Sequence, residues 1–122
     1  MSYPEPLLKT FIGPEDLNHL GTAFGGHLMG VLDMAGASLA RRTANSNVML
    51  VAVNNIQFKA PFIPGDEIEI LGQVGKIGNT SITAVLEGYA TNPVTGRRIL
   101  ALTGEYVFVA IDDQLQPRPV KR

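Results

Sequence analysis

Residues 18–36 read NHLGTAFGGHLMGVLDMAG, and the second half of this stretch decides how the chain folds. From Gly25 or Gly26 to Arg42 the sequence is apolar almost all the way round a helix, which is typical of a helix covered on every side. Asp33 lies in the middle of this helix, and no basic residue lies one helical turn from it. Burying an unpaired carboxylate costs free energy unless a specific site compensates it. Asp33 is therefore the first candidate functional residue.

The helix face that carries Asp33 is lined mostly by small side chains. Its neighbours three and four residues away are Met29, Gly30, Gly36 and Ala37. Because a glycine inside a helix costs about 1 kcal/mol relative to alanine, the two glycines need a reason. One explanation is that they allow close packing against a strand or a second subunit, with Asp33 hydrogen-bonded to backbone there. The other is that they leave room for a ligand that reaches Asp33.

The helix begins with the sequence Phe24-Gly25-Gly26. The first N–H groups of a helix have no partner within it, and two glycines let a ligand approach them closely. The helix dipole adds partial positive charge there, which favours a developing oxyanion. Asp33 lies about 10 Å further along the axis, at 1.5 Å per residue. This spacing suits a carbonyl oxygen held at the helix start while a water or the carboxylate approaches the carbonyl carbon.

The rest of the chain predicts strands. A short strand at 7–12 precedes the helix, and four strands follow it at 48–60, 66–77, 81–91 and 98–112, separated by turn sequences. Short connections favour antiparallel pairing, so the order predicts a single α+β domain over residues 1–122. A sheet curled around one helix leaves the far side of the helix open, and we expect a second subunit to close it.

Composition and charge exclude several classes of function. The 122 residues include no cysteine, which excludes disulfides, thiolate nucleophiles and thiolate metal sites. His19 and His27 are eight residues apart, which is not a metal-ligand spacing, so we expect no metal and no cofactor. The net charge of −1 argues against a nucleic-acid partner. Neither a signal peptide nor an apolar run of about 18 residues is present, so we expect a cytoplasmic protein with no membrane partner.

The stretch around the helix start resembles the signature of the hotdog-fold acyl-CoA thioesterases. Their pattern Asn-x-x-Gly-x-x-Phe-Gly-Gly, followed by an acid in the helix, falls on Asn18, Gly21, Phe24, Gly25, Gly26 and Asp33. Three later segments also fit the family: FKAPFIPGD at 58–66, GNTS at 78–81 and FVAID at 108–112. The resemblance covers the chain from about residue 7 to residue 117.

The resemblance implies a hotdog fold, in which a curved five-stranded antiparallel sheet wraps around a long central helix. It implies subunits that pair edge to edge, often as trimers of dimers, with the acyl-CoA thioester bound between subunits. Asp33 would be the general base or nucleophile, the backbone N–H near Gly26 would form the oxyanion hole, and Asn18 would position substrate or water. The products would be a free fatty acid and CoA.

The resemblance also implies a set of substrate-binding residues. Phe24, Gly25 and Met29 would line the substrate site, and the basic residues Lys76, Arg97 and Arg98 are candidates for contacts with the CoA phosphates. The chain departs from the family at Leu50, where relatives commonly carry a threonine that a subunit contributes to its partner's active site.

Other functions remain as alternatives. A non-catalytic acyl-CoA binding or sensing protein of the same fold is one, and apolar Leu50 favours it. Hydratases and dehydratases of acyl thioesters pair an acid with a histidine, and Asp33 has no histidine at the expected downstream spacing. No Gly-x-Ser-x-Gly sequence is present, which argues against a serine hydrolase. A lone histidine such as His27 is more often a surface or packing residue than an acid–base group.

Overall fold

The fold is described from a computed structural model, which describes residues 3–120. These residues form one α-helix, one short 3-10 turn at Pro14–Asp16 and five strands. The helix α1 spans Gly25–Ala44, and the strands are β1 (Glu5–Phe11), β2 (Asn47–Phe58), β3 (Glu67–Ile77), β4 (Ser81–Asn92) and β5 (Arg97–Ile111). The α+β order predicted from the sequence is confirmed, with shifts of a few residues at the element ends.

All five strands belong to one antiparallel sheet in the order β1-β3-β4-β5-β2. The alternation of buried and half-buried residues along β3, β4 and β5 shows that one face of the sheet is covered. That face packs on α1, and the core between them contains Leu32, Ile70, Leu86 and Phe108. β2 lies at the sheet edge, and its register with β5 shifts between Leu50 and Ala52 and again between Asn54 and Gln57.

The helix ends two residues beyond the predicted Arg42. Ala44 is fully buried, and the Thr43 hydroxyl donates to the Leu39 carbonyl 2.8 Å away, so the last turn stays helical. Asn45 then adopts a left-handed conformation with φ 52°, which stops the helix.

One side of the helix is open in the single protomer, as expected for a sheet that curls around one helix. Its buried residues face the sheet, whereas Gly26, Gly30, Met34, Ser38 and Arg41 form an exposed stripe. Met34 is 60% exposed on this stripe. The apolar sequence therefore covers both a core face and an open face. Among residues 3–120 no helix is both long enough and apolar enough to cross a membrane.

Candidate active site

Two free backbone N–H groups lie at the start of α1. Phe24 precedes the helix in an extended conformation, and its carbonyl accepts from the N–H groups of His27 and Leu28 at 3.1 and 3.3 Å. The N–H groups of Gly25 and Gly26 have no partner among residues 3–120. Because these groups also lie at the positive end of the helix dipole, they are available to donate to a negatively charged oxygen.

The loop before the helix is held by Asn18. Its side-chain oxygen accepts from the N–H of Leu20 at 2.9 Å and from the N–H of Thr22 at 3.2 Å. Its backbone N–H donates to the Thr22 carbonyl at 2.7 Å, and Leu17 pairs with Ala23 at the neck of the loop. Within the described part of the chain the amide nitrogen of Asn18 has no acceptor. Asn18 therefore shapes the loop through its oxygen and leaves a donor free.

Asp33 lies at the boundary between the buried and the open faces of α1, and its side chain is half-buried. Its carboxylate makes neither a hydrogen bond nor an ion pair with any residue from 3 to 120. Of the two explanations for a carboxylate here, packing with a hydrogen bond to backbone is therefore absent within the protomer. Such packing against a second subunit and contact with a ligand are the explanations that remain.

The two helix glycines near Asp33 have different surroundings. A methyl group on Gly36 would lie 3.1 Å from the Phe108 ring and 3.2 Å from Leu86, so Gly36 allows the helix to pack closely on the sheet. A methyl group on Gly30 would meet nothing within 4 Å. Close packing therefore explains Gly36, whereas Gly30 opens the face beside Asp33.

Tyr106 lies beside the candidate site, and the sequence pattern did not indicate it. Its hydroxyl donates to the Met29 carbonyl 2.7 Å away, so a β5 side chain holds the helix one turn before Asp33. Burial and, to a smaller extent, the negative charge of Asp33 together raise the pKa of Tyr106 from 10.0 to about 12. Met29 and Tyr106 are 77 residues apart, and only the fold brings them together.

A groove of about 450 Å³ opens beside the free N–H groups. Its walls come from the loop before the helix, from the first turn and from the segment after β2; they include Gly25, Leu28, Phe58 and Phe62. The Phe58 ring lies 3.4 Å from where a methyl group on Gly25 would stand. The groove therefore offers an apolar wall directly next to the free N–H group of Gly25.

Comparison with known proteins identifies the family. A model of the thioesterase superfamily matches residues 20–97, which include the free N–H groups and Asp33. The chain belongs to the thioesterase superfamily. An uncharacterized acyl-CoA thioester hydrolase of Zymomonas mobilis is 37% identical over 113 residues, covering 93% of this chain and 76% of that protein. The acyl-CoA thioester hydrolase YciA of Salmonella typhimurium is 35% identical over 120 residues, covering 95% and 90%.

The fold of this thioesterase-superfamily chain is the hotdog fold. A hexameric broad-specificity acyl-coenzyme A thioesterase, solved as an aspartate-to-alanine mutant, superposes with a TM-score of 0.94 at 32% identity. The match covers 98% of this chain and 88% of that one. The resemblance seen in the sequence and the fold expected from it are both confirmed.

The three basic residues predicted to contact CoA phosphates do not form one cluster in the protomer. Arg98 contacts Glu69 at 3.1 Å and lies over the Tyr89 ring, and neighbouring Arg97 forms an ion pair with Asp66. Lys76 is exposed near the opposite end of the sheet, about 30 Å along β3 at 3.3 Å per residue. Only Arg97 and Arg98 lie at the end of the sheet where the helix begins.

His27 is placed beside the helix start by Asp16. Its Nδ1 lies 3.4 Å from the Asp16 carboxylate, and its ring packs against Phe24 with centroids 5.7 Å apart. Its Nε2 is buried and has no hydrogen-bond partner within the described residues.

Residues 3–120 contain no group of three or more acidic or histidine side chains that could hold a metal ion.

Proposed function

We propose that this chain is an acyl-CoA thioesterase, a hydrolase that converts an acyl-CoA to free fatty acid and CoA. The observation that carries the proposal is the half-buried, unpartnered Asp33 on the same helix as the free N–H groups of Gly25 and Gly26. Membership in the thioesterase superfamily and similarity to proteins named acyl-CoA thioester hydrolases support it. We further propose that residues 1–122 form a single hotdog domain.

The oxyanion site polarises the thioester in this mechanism. The carbonyl oxygen accepts from the N–H near Gly26, with Gly25 and Phe24 alongside, and the helix dipole stabilises the negative charge that develops there. Asn18, whose amide nitrogen is free among the described residues, positions the substrate or the water. Met29 borders the path to Asp33. Phe58 and Leu28 line the neighbouring groove and provide an apolar surface for the substrate.

The axial rise of about 10 Å from Gly26 to Asp33 leaves room for a water molecule between carboxylate and thioester. Asp33 then removes a proton from water, the hydroxide adds to the carbonyl carbon, and the carbon–sulfur bond breaks. The CoA thiolate takes up the proton. Direct attack by Asp33 is the alternative role.

Oligomerisation completes the site in this proposal. β2 is an edge strand, whose outer side has no partner strand among residues 3–120, and it exposes Met49 and Val51. The open stripe of α1 lies beside Asp33. A homodimer formed edge to edge would cover these surfaces, and the hexameric state of a similar thioesterase supports a trimer of dimers. The CoA phosphates would then meet Arg98 of one protomer or Lys76 of another.

That the protein is cytoplasmic and binds neither nucleic acid nor membrane stays a prediction.

The test is the release of free thiol, followed with a thiol-reactive dye, from acyl-CoAs ranging from acetyl to palmitoyl. We expect wild type to hydrolyse at least one of them and Asp33→Asn to lose activity by about a hundredfold or more, the range for removing a general base. Asp113→Asn, at an exposed position of the C-terminal segment, is the matched control and should keep full activity.

A different result would favour the non-catalytic binder. Leu50 supports that candidate, because it stands half-buried in the edge strand at the position nearest to the threonine of relatives. Binding of acyl-CoA by wild type without any thiol release would establish it. Equal activity of wild type and Asp33→Asn would contradict the role of Asp33 while leaving the hydrolase assignment in place.

A further inference from the structure

Asp66 is a buried carboxylate outside the site described above. The residue is 1% exposed, at the end of the turn that connects β2 to β3. Its Oδ2 accepts from a guanidinium nitrogen of Arg97 and from the N–H of Ile63 at 3.1 Å. Its Oδ1 has no partner within the described part of the chain. A carboxylate removed from water in this way needs its cation, so the pair is a fixed feature of the fold.

Arg97 holds the turn at two points. While Nη1 binds Asp66, Nη2 donates to the Pro61 carbonyl at 2.9 Å. The turn itself is tight, with the Asp66 N–H donating to the Ile63 carbonyl at 3.0 Å and Gly65 at φ +92°. The guanidinium therefore joins both ends of the segment 61–66 to the start of β5.

The segment 61–66 in turn holds the chain that leads into the oxyanion site. Phe62 is fully buried, and its carbonyl accepts from the Ala23 N–H at 2.9 Å. The next N–H, that of Phe24, donates to the Asp16 carbonyl at 3.0 Å. The two peptide groups before the free N–H groups are thus held from two sides, by the 3-10 turn and by the segment that Arg97 secures.

We propose that Arg97 and Asp66 are positioning residues for thioester hydrolysis. Acting through Phe62 and Ala23, their ion pair sets the direction of the free N–H groups of Gly25 and Gly26. The inference rests on the proposed function, because it concerns the oxyanion site of that reaction. It gives Arg97 a role different from contact with CoA phosphates, since both of its terminal nitrogens already bind the protein.

The test compares two thioesters that carry the same acyl group. One is the acyl-CoA, and the other is the S-acyl-N-acetylcysteamine, which contains no phosphate. Arg97→Ala should lower kcat by about 10- to 100-fold on both, because a misplacement of about 1 Å costs up to about a hundredfold. The KM for acyl-CoA should change less than about threefold. Arg97→Lys keeps a charge for Asp66 but lacks the planar fork, so it should recover part of kcat.

Arg42→Ala is the matched control. Arg42 also forms an ion pair, with Glu5, but that pair is exposed and lies in the last turn of α1, away from the glycines. This variant should keep kcat and KM for both thioesters. All rates are measured well below the melting temperature of each variant, after its oligomeric mass has been checked. If Arg97→Ala does not fold, Arg97→Lys decides by the same comparison.

Two results would overturn the inference. Arg97→Ala could show a higher KM for acyl-CoA and hydrolyse the S-acyl-N-acetylcysteamine at the wild-type rate. That result would make Arg97 a phosphate ligand. An unchanged kcat on both thioesters, whatever the melting temperature, would make the pair purely structural. If wild type hydrolyses neither thioester, the proposed function fails and the inference fails with it. This outcome is seen in wild type, whereas the other two are seen only in the Arg97 variants.

Discussion

At the scale of the residue, Tyr106 connects the stability of the fold to the site. Its pKa is raised from 10.0 to about 12 by burial and by Asp33, so the folded state holds the phenol proton more tightly than the unfolded state. The resulting stabilisation is complete below about pH 10 and is lost as the pH rises towards 12. We expect Tyr106→Phe to reduce this loss of stability between pH 9.5 and 12. Urea unfolding at constant protein concentration measures the free energy of unfolding at each pH.

The same substitution has an effect at neutral pH. It removes the donor that binds the Met29 carbonyl, so the free energy of unfolding at pH 7 should fall by about 1 kcal/mol. Tyr3→Phe is the control, because Tyr3 is exposed, and it should change stability at pH 7 little. If Tyr106→Phe kept the full wild-type pH dependence above pH 10, the phenol would not be its source.

At the scale of the element, replacing each of the two helix glycines with alanine should change the stability in opposite directions. Gly36→Ala places a methyl group against buried Phe108 and Leu86, and we expect overpacking to exceed the gain in helix propensity, with a net loss of about 1 kcal/mol. Gly30→Ala meets open space and should gain up to about 1 kcal/mol of helix stability. Since Gly30 borders the face of Asp33, its methyl group should also raise the KM for acyl-CoA several-fold.

Chemical denaturation and steady-state kinetics on the two alanine variants separate these effects. Each variant serves as the control for the other, because the substitution is the same and the positions are less than two turns apart. A Gly30→Ala enzyme with unchanged KM would show that substrate does not reach this face. A Gly36→Ala protein more stable than wild type would show that Phe108 and Leu86 move aside without cost.

At the scale of the whole molecule, the open edge at β2 predicts association with another subunit. β2 pairs only with β5 in the sheet that residues 3–120 form, and Val51 is 55% exposed on it. Unpaired edges with exposed apolar side chains are typical surfaces for association. We expect Val51→Lys to dissociate the oligomer into protomers of 13.1 kDa and to abolish hydrolysis, because the proposed site lies between subunits.

Size-exclusion chromatography with light scattering measures this change, beside a thiol-release assay. Val94→Lys is the matched control, since Val94 is 93% exposed in the turn between β4 and β5 and should keep both mass and activity. A Val51→Lys protein that is monomeric and fully active would contradict a site shared between subunits. One that retains the wild-type mass would exclude the β2 edge as the interface.

The sequence by itself determined the order of the elements and the position of the central helix. Hydrophobic periodicity and turn residues are local signals, so they placed α1 and the strands within a few residues of their observed ends. Phe24-Gly25-Gly26 likewise marked the helix start, because free N–H groups are a property of any helix N-terminus. Membership in the hotdog thioesterases was readable from the same motif.

Only the tertiary structure decided which residues surround that helix start. Asp66 and Arg97 are 31 residues apart, and Met29 and Tyr106 are 77 apart, so no spacing rule connects them. The same holds for the glycines, because Gly30 and Gly36 look alike in sequence and differ only in whether the sheet lies against them. Contacts between distant segments depend on sheet register and helix packing, and these exist only once the chain is folded.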